Sequence, residues 1–258
     1  MNLPNKLAAD RFVPNANNKD TYYLEHVTRY RFAKPYILGK KVLDLGCGTG
    51  YGSAEAIKMG ASSVVGVDIS NQAIHFAQKN FKNKELVFQK ANATSLPFKN
   101  SSFDTVLSFE VIEHIKNYPL FIDEAMRVLK KGGYFIFSTP NAAQYRAGTS
   151  PYHFKEFTKA QLQNIFKTRK LPITLFGQTF KNDQFITSQK QYFQRYQHAT
   201  FGGNKLIKKL LHFIPSSLKV AIYKTLWQQV PEIGPKDIMI SKKQVASSIT
   251  LLGICHKI

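Results

Sequence analysis

The sequence predicts an α/β protein with a mostly parallel, seven-stranded sheet, helices on both faces and a helical insertion before the last strand. Two observations indicate this fold. Short apolar runs alternate with amphipathic stretches between residues 40 and 140, and strands separated by helices form parallel sheets with right-handed crossovers. A glycine-rich turn, GCGTG, directly follows the first apolar run. Ligands bind at the carboxyl ends of the strands in such sheets, so the turn also predicts a binding site.

The elements follow from apolar periodicity and from the glycines that end them. Strands are expected at KKVLDLG, SSVVGVDIS, ELVFQKANA, FDTVLSFEV, YFIFSTPN, LPITLFGQTF and SSITLLGICHKI. Helices are expected at GYGSAEAIKMG, NQAIHFAQKNFK and YPLFIDEAMRVLKKGG, the last ending at Gly132 and Gly133. The predicted organisation is a helical cover over residues 1–40, a core over 41–180, a basic helical cap over 181–245 and the final core strand over 246–258.

Length and composition limit the class of protein. The chain has 258 residues and is 43% apolar, which suits one core with an appended segment. No run approaches twenty apolar residues, and the first residues lack the apolar segment of a signal peptide. Two cysteines, Cys47 and Cys255, do not form a disulfide framework, so a reducing, cytoplasmic location is expected.

The charge is strongly positive. The net charge is +20, and residues 151–258 hold 17 basic but only 4 acidic side chains. Such a field favours anionic partners, namely nucleic acid, an acidic membrane surface or a phosphorylated substrate, although it also suits a solvated surface. Within the predicted cap, KLIKKLLHFIP separates into an apolar arc and a basic arc. This helix either lies on an acidic membrane or packs on its own domain.

A second stretch of the cap, QKQYFQRYQHATFGG, is rich in aromatic and basic residues. Tyr192, Phe193, Arg195 and Tyr196 either stack on a sugar or a base or fill the interior of the cap.

The turn after the first strand has the chemistry of a cofactor site. Gly46, Gly48 and Gly50 allow a tight turn and a close approach of the backbone to a ligand. Their spacing differs from G-x-G-x-x-G, which argues against a dinucleotide. Asp44 at the strand end repels a pyrophosphate but favours an ammonium or sulfonium group.

The stretch VLDLGCGTG resembles the first motif of class I S-adenosylmethionine-dependent methyltransferases, and the resemblance extends across most of the chain. It implies a Rossmann-like fold with S-adenosylmethionine as cofactor. Asp68 matches the acidic residue that binds the ribose hydroxyls, although a helix N-cap alone would also explain it. Asn92 in NATSLPFKNSSFD stands in the loop that borders the adenine, where the family usually has Asp. The resemblance implies these cofactor-binding residues: Asp44, Gly46, Cys47, Gly48, Gly50, Asp68, Ile69, Asn92 and Ala93.

The first part of the chain resembles a bacterial subgroup associated with glycan and lipopolysaccharide biosynthesis. The resemblance rests on the stretch from Asp10 to Pro14 and on a helix that contains His26, Arg29 and Tyr30. A helix packed over the cofactor would let Arg29 pair with the carboxylate of the cofactor. Alternatively, Arg29 faces solvent on a packing helix.

The run SFEVIEHIKNYP places Glu110, Glu113 and His114 after the fourth strand, on one face if a helix begins there. SPYHFKEFT places His153 and Glu156 after the fifth strand, so Glu110, Glu113, His114 and His153 are expected to converge beside the transferable methyl group. Three roles are open. His114 or His153 acts as a general base, or the residues have a structural role, or they hold Mg²⁺ or Mn²⁺. The candidate catalytic residues and metal ligands are Glu110, Glu113, His114 and His153.

We therefore predict a methyltransferase that acts on an oxygen atom, with a glycan or glycolipid precursor as the preferred acceptor. Three alternatives stay open. The Glu-x-x-Glu-His run and the later histidine are similar to the metal site of RNA 2′-O-methyltransferases that modify small RNAs. The same run is similar to aromatic-hydroxyl methyltransferases of the ubiquinone pathway. In the third alternative, the chain is a cofactor-binding partner subunit without catalysis of its own.

Overall fold

A computed structural model describes residues 21–144, 152–181 and 234–258. The α-helices in these ranges are α1 Thr21–Ile37, α2 Tyr51–Lys58, α3 Asn71–Asn80, α4 Tyr118–Val128 and α5 Lys159–Thr168. The strands are β1 Lys41–Leu45, β2 Ser63–Asp68, β3 Leu86–Lys90, β4 Phe103–Phe109, β5 Leu129–Pro140, β6 Ile173–Phe180, β7 Ile238–Ser241 and β8 Thr250–His256.

All eight strands form one sheet in the order β3-β2-β1-β4-β5-β8-β6-β7. The pairs β1–β2, β2–β3, β1–β4 and β4–β5 are parallel. β8 lies between β5 and β6 and is antiparallel to both. The carboxyl ends of β1, β2, β4 and β5 therefore share one edge of the sheet, where a ligand site is expected.

The strands bury both of their faces, because helices cover the sheet on each side. On β5, Phe135 and Phe137 belong to one core cluster together with Phe121 of α4. Ile136 between them belongs to a second cluster with Ile37 of α1. This alternation follows from the two-residue period of a strand and explains the near-continuous apolar runs in the sequence.

The predicted fold is confirmed, with eight strands where seven were expected. The two elements that were not predicted are α5 and the short strand β7. The predicted helix at YPLFIDEAMRVLKKGG ends at Val128 rather than at Gly132 and Gly133. It ends there because Leu129 already pairs with β4, and β5 then passes through an irregular register before Gly133.

Glu110, Glu113 and His114 would share one face only if an α-helix began at Glu110. No α-helix begins there. Glu110 has a φ of +57°, which is incompatible with a right-handed helix. A single 3₁₀ turn, Ile112–His114, follows it, and α4 begins only after the N-cap residue Asn117.

The chain divides into two compact units, one of residues 1–179 with 238–258 and one of Phe180–Asp237. In the described part of the second unit, a 3₁₀ turn covers Pro235–Asp237, and the backbone N–H of Gly234 donates to Asp237 at 2.8 Å. The aromatic stretch and the basic amphipathic helix of the predicted cap lie outside the described residues. The strand β7 belongs to the sheet, although its residues fall in the range 181–245 that was predicted as cap. No helix in the described ranges is long and apolar enough to cross a bilayer.

Candidate active site

The glycine turn between β1 and α2 has a backbone that only glycine adopts easily. Gly46, Gly48 and Gly50 have φ values of +81°, +53° and +85°. A Cβ atom on Gly46 would lie 2.4 Å from the side chain of Val111, whereas one on Gly48 would meet nothing within 4 Å. Gly46 is therefore required by close packing, and Gly48 leaves open space at the surface of the turn.

Asp68 at the end of β2 closes the turn from the other side. Its Oδ2 accepts from the backbone N–H of Gly48 at 3.1 Å, and its Oδ1 accepts from that of Ser70 at 2.8 Å. The helix N-cap is Ser70 rather than Asp68, since the Ser70 side chain accepts from Ala73. Ile69 beside it is 60% exposed and forms an apolar surface next to the carboxylate. The carboxylate therefore lies in contact with the glycine turn, as a ribose-binding residue requires.

Asp44 lies beneath the turn and is only 1% exposed. Its Oδ2 accepts from Ser53 at 2.6 Å, and the Tyr30 hydroxyl lies 3.1 Å from both of its carboxylate oxygens. Burial raises the pKa of Asp44 to about 6, although these hydrogen bonds act in the opposite direction. An ionised Asp44 is thus an energetically costly buried charge, which a bound cation would stabilise.

The loop after β3 is built around Asn92. Its side-chain oxygen accepts from the backbone N–H of Thr94 at 3.0 Å and from the Thr94 hydroxyl at 2.9 Å. The sequence predicts that Asn92 lies beside the adenine, and a hydrogen bond from an adenine amino group to this oxygen would compete with these two. Ala93, which follows, is half-buried against the core. The adenine contact stays a prediction.

Arg29 of α1 is buried and lies among polar groups of the sheet edge. Its Nε donates to Gln178 at 3.0 Å, and its Nη2 lies 3.4 Å from the Thr250 hydroxyl. Its guanidinium also pairs with Glu25 at 3.6 Å and with Glu110 at 3.4 Å. Arg29 does not face solvent, and the predicted pairing with a cofactor carboxylate would have to share the guanidinium with two glutamates.

Glu110 is held at the end of β4 by β5 and α1. Its Oε1 accepts from the Ser138 hydroxyl at 2.6 Å, in addition to its pairing with Arg29. Its backbone N–H lies 3.2 Å from both the carbonyl oxygen and the hydroxyl of Ser138. These contacts hold the strained backbone of Glu110 in place.

Glu113 is the most buried carboxylate of this run, with 1% exposure. One oxygen, Oε2, accepts from the Thr139 hydroxyl at 2.9 Å. The other, Oε1, is buried and accepts no hydrogen bond from any residue that the structure describes. Burial and the nearby Glu110 carboxylate raise the pKa of Glu113 well above the ordinary glutamate value.

His114 and His153 lie beside Glu113. Their rings pack edge to face, with centroids 4.8 Å apart. His114 Nε2 is 4.0 Å from the free oxygen of Glu113, and His114 Nδ1 is 3.0 Å from the carbonyl oxygen of Tyr152. His153 Nδ1 is 3.0 Å from the buried carboxylate of Glu156. The predicted convergence of Glu113, His114 and His153 therefore occurs, whereas Glu110 is held in a separate set of contacts.

The glycine turn and the segment that carries the glutamates and His114 are in contact. The contact between Gly46 and Val111 joins the turn to the segment that carries Glu110 and Glu113. Hydroxyl groups that the sequence interpretation missed support both sides: Ser53, Ser138 and Thr139 each donate to one of the acidic residues. Ser138 and Thr139 are adjacent polar residues at the end of an apolar strand. This pattern in the sequence could have identified both as site residues.

The chain is similar to known methyltransferases in sequence. Residues 43–137 match the family described as a methyltransferase domain. A Mycolicibacterium smegmatis protein named as a probable S-adenosylmethionine-dependent methyltransferase is 30% identical over 166 residues, which cover 63% of each chain. A fatty-acid O-methyltransferase of the same organism is 31% identical over 122 residues, which are 47% of this chain and 43% of that protein. The chain thus spans less than two thirds of the length of these curated relatives.

The fold is shared with a solved S-adenosylmethionine-dependent methyltransferase from Thermotoga maritima. The TM-score is 0.59 over 92% of this chain and 93% of the other, at 16% sequence identity. Likeness at this level of identity shows the fold.

Proposed function

We propose that this chain, which is similar to S-adenosylmethionine-dependent methyltransferases, is such an enzyme and transfers the methyl group of that cofactor to an oxygen atom of a lipid or glycan acceptor. One observation carries the proposal. The glycine turn and the segment that leads to Glu113, His114 and His153 follow the neighbouring parallel strands β1 and β4, and Val111 of that segment packs against Gly46. A cofactor bound at the turn would place its reactive carbon toward groups that can take a proton.

The residues around the glycine turn suit a cation. Asp44 lies buried beneath the turn, and Asp68 lies in contact with Gly48. S-adenosylmethionine carries an ammonium and a sulfonium group, and both are attracted to a buried carboxylate. Asp68 would accept hydrogen bonds from the ribose hydroxyls, and the open space at Gly48 would admit the methionine part.

The acceptor side suits a hydroxyl or carboxyl group. In the reaction, an acceptor oxygen attacks the methyl carbon in line with the carbon–sulfur bond, which breaks as the new carbon–oxygen bond forms. A hydroxyl must lose its proton in this step, and an imidazole is the ordinary base near neutral pH. We assign the base role to His153, because the Glu156 carboxylate lies 3.0 Å from its Nδ1 and orients the ring, which leaves Nε2 to accept a proton.

Two observations support an apolar or amphipathic acceptor. Tyr152 and Phe154 flank His153 in the chain, and they are 48% and 67% exposed. Exposed aromatic rings next to the base would bind an acyl chain or the apolar face of a sugar. A relative is named as a fatty-acid O-methyltransferase, and the N-terminal segment resembles the glycan-associated subgroup. Both acceptor classes present an apolar surface and an oxygen atom. They differ in the product, which is a methyl ester for a fatty-acid carboxyl and a methyl ether for a sugar hydroxyl.

Transfer of a radiolabelled methyl group distinguishes them. The protein is incubated with methyl-labelled cofactor and separate pools of free fatty acids, glycolipids, oligosaccharides and RNA. Label on a fatty-acid carboxyl is released by alkali, whereas label on a sugar hydroxyl is stable. His153→Ala should lose transfer, and His75→Ala, which removes an exposed histidine on α3, should keep it. Absence of label in all lipid and glycan pools would contradict the proposal.

RNA is the second candidate acceptor, favoured by the net charge of +20 and by the two histidines beside a buried glutamate. Label in dinucleotides that survive alkaline hydrolysis of RNA would support it. Label in a phenolic product would indicate the aromatic-hydroxyl alternative. Cofactor binding without label in any pool would indicate a partner subunit. A contact of the basic cap with acidic membranes stays a prediction, which retention on acidic liposomes at low salt tests.

A further inference from the structure

We infer that Glu113, His114 and His153 form a binding site for a divalent transition-metal ion of the Zn²⁺ type. The inference rests on the proposed function and deepens it, because these residues form the acceptor side of the proposed methyl-transfer site. Its test measures the binding of metal without the cofactor, so that the site and the methyl transfer can fail independently.

The donor atoms are already close together. One ligand atom from each residue lies within 4.8 Å of the others. Ligands around a zinc ion are about 3 to 3.5 Å apart, given bond lengths of about 2.0–2.2 Å. Small side-chain rotations would close this difference, because His114 is partly exposed and therefore has room to move.

The buried oxygen of Glu113 indicates that a ligand belongs here. Its Oε1 is buried, accepts no hydrogen bond from the described residues and is 4.0 Å from His114 Nε2. A buried carboxylate oxygen without a donor is costly, and a bound cation would remove that cost. The Thr139 hydroxyl holds the other oxygen and so orients the carboxylate.

Both imidazoles have the orientation that metal ligands require. His114 Nδ1 faces the Tyr152 carbonyl oxygen, and His153 Nδ1 faces the Glu156 carboxylate, each at 3.0 Å. Since these partners are acceptors, each Nδ1 carries the hydrogen and each Nε2 carries the lone pair. Histidine ligands of metals are commonly oriented by such outer partners.

The backbone holds the two segments together before any metal binds. The N–H groups of Phe154 and Lys155 lie 2.8 and 3.2 Å from the carbonyl oxygen of Glu113. The third ligand, His153, is thereby attached to the segment that carries the other two. Glu110, which was predicted as a fourth ligand, is instead engaged by Ser138 and Arg29.

The ligand set determines the class of metal. Two imidazole nitrogens and one carboxylate suit Zn²⁺, Co²⁺ or Ni²⁺, whereas Mg²⁺ prefers oxygen ligands and water. This differs from the expectation of Mg²⁺ or Mn²⁺. Three protein ligands leave a fourth position open, and a hydroxyl bound there has a lowered pKa. With an ion bound, His153 is a ligand, and the ion would then take the place of the His153 base in promoting loss of the hydroxyl proton.

The test titrates tag-free protein, stripped of metal by chelator, with Co²⁺ and follows its visible absorption. We expect saturable binding that Zn²⁺ abolishes and that a large excess of Mg²⁺ leaves unchanged. Glu113→Gln and His153→Ala should lose the signal, and the exposed-residue control His75→Ala should keep it. Glu156→Gln should weaken affinity by about 10- to 100-fold, since it removes an orienting partner.

A second measurement uses the native protein and so does not require that any variant folds. In the native protein, Zn²⁺ should protect His114 and His153, but not His75, from carbethoxylation detected by mass spectrometry. The inference is overturned if Co²⁺ does not bind saturably, if the two ligand variants bind it unchanged, if Mg²⁺ displaces it at comparable concentration, or if Zn²⁺ protects neither histidine.

Discussion

The buried carboxylate of Asp44 predicts that one substitution stabilises the protein while impairing cofactor binding. Asp44 is 1% exposed, and burial raises its pKa from 3.8 to about 6. Because the pKa is higher in the folded state, the folded state binds more protons. The contribution of Asp44 to stability is therefore greatest below pH 3.8 and is lost as the pH rises through about 6. At neutral pH the carboxylate is charged and opposes folding.

The expected magnitude follows from this difference. A shift of about two units corresponds to about 3 kcal/mol, at 1.36 kcal/mol per unit. Asp44→Asn removes the charge at nearly constant volume. Its amide oxygen can still accept from Tyr30 or Ser53, but its amide nitrogen no longer accepts a hydrogen bond. After subtraction of about 1 kcal/mol for one weakened hydrogen bond, we expect a gain of about 1–2 kcal/mol in the ligand-free protein at neutral pH.

Urea unfolding of the wild type and of Asp44→Asn over a range of pH measures this effect. The gain should shrink as the pH falls from about 6 toward 3.8, because the folded wild type is then protonated while the unfolded chain is still ionised. Calorimetry with S-adenosylmethionine should show weaker binding to the variant. In the wild type, affinity should fall below a pH of about 6. Asp123→Asn, at an exposed carboxylate, is the matched control and should change neither quantity. The reasoning is refuted if Asp44→Asn is less stable than the wild type by an amount that does not vary with pH.

Two further pairs of variants test the packing of the site. Gly46→Ala should destabilise the fold by roughly 2 kcal/mol more than Gly132→Ala in urea unfolding, because both positions have positive φ but only Gly46 would clash with Val111. Equal losses would contradict the clash. Arg29→Met should cost about 2–3 kcal/mol, because it leaves the partly buried Glu25 and Glu110 without their cation, whereas Arg169→Met should cost less than about 1 kcal/mol. A loss for Arg29→Met as small as that of the control, measured by thermal unfolding, would show that the buried ion pairs contribute little.

The cofactor side of the site could be predicted from sequence because its signals are local. The glycine turn lies between one strand and one helix, and Asp68 ends the next strand. Such features depend on positive φ, strand period and chain order, which short stretches determine. The helix α5 also had a local sequence signal that was missed. Thr158 and Gln161 have the Thr-x-x-Gln spacing of a capping box, and their side chains form its reciprocal hydrogen bonds at the start of the helix. The strand β7 has only four residues, too few for a periodic pattern.

The different surroundings of Glu110 and Glu113 could not be predicted in the same way. Both are glutamates three residues apart after the same strand, and no local pattern distinguishes them. Their separation comes from tertiary contacts, since Arg29 reaches Glu110 from α1 and Thr139 reaches Glu113 from β5. A positive φ at Glu110 then turns the backbone between them. Which carboxylate joins the histidines is thus a property of the assembled sheet edge.

The position of β8 affects how the chain folds during synthesis. Residues 250–256 are the last of the described strands to leave the ribosome, yet they pair with β5 and β6 inside the sheet. Until they emerge, β5 has an open, apolar edge, and such edges associate with other chains. We therefore expect nascent chains to depend on protection by chaperones at this stage. Soluble yield should then respond more strongly to chaperone supply than the stability of the finished protein does.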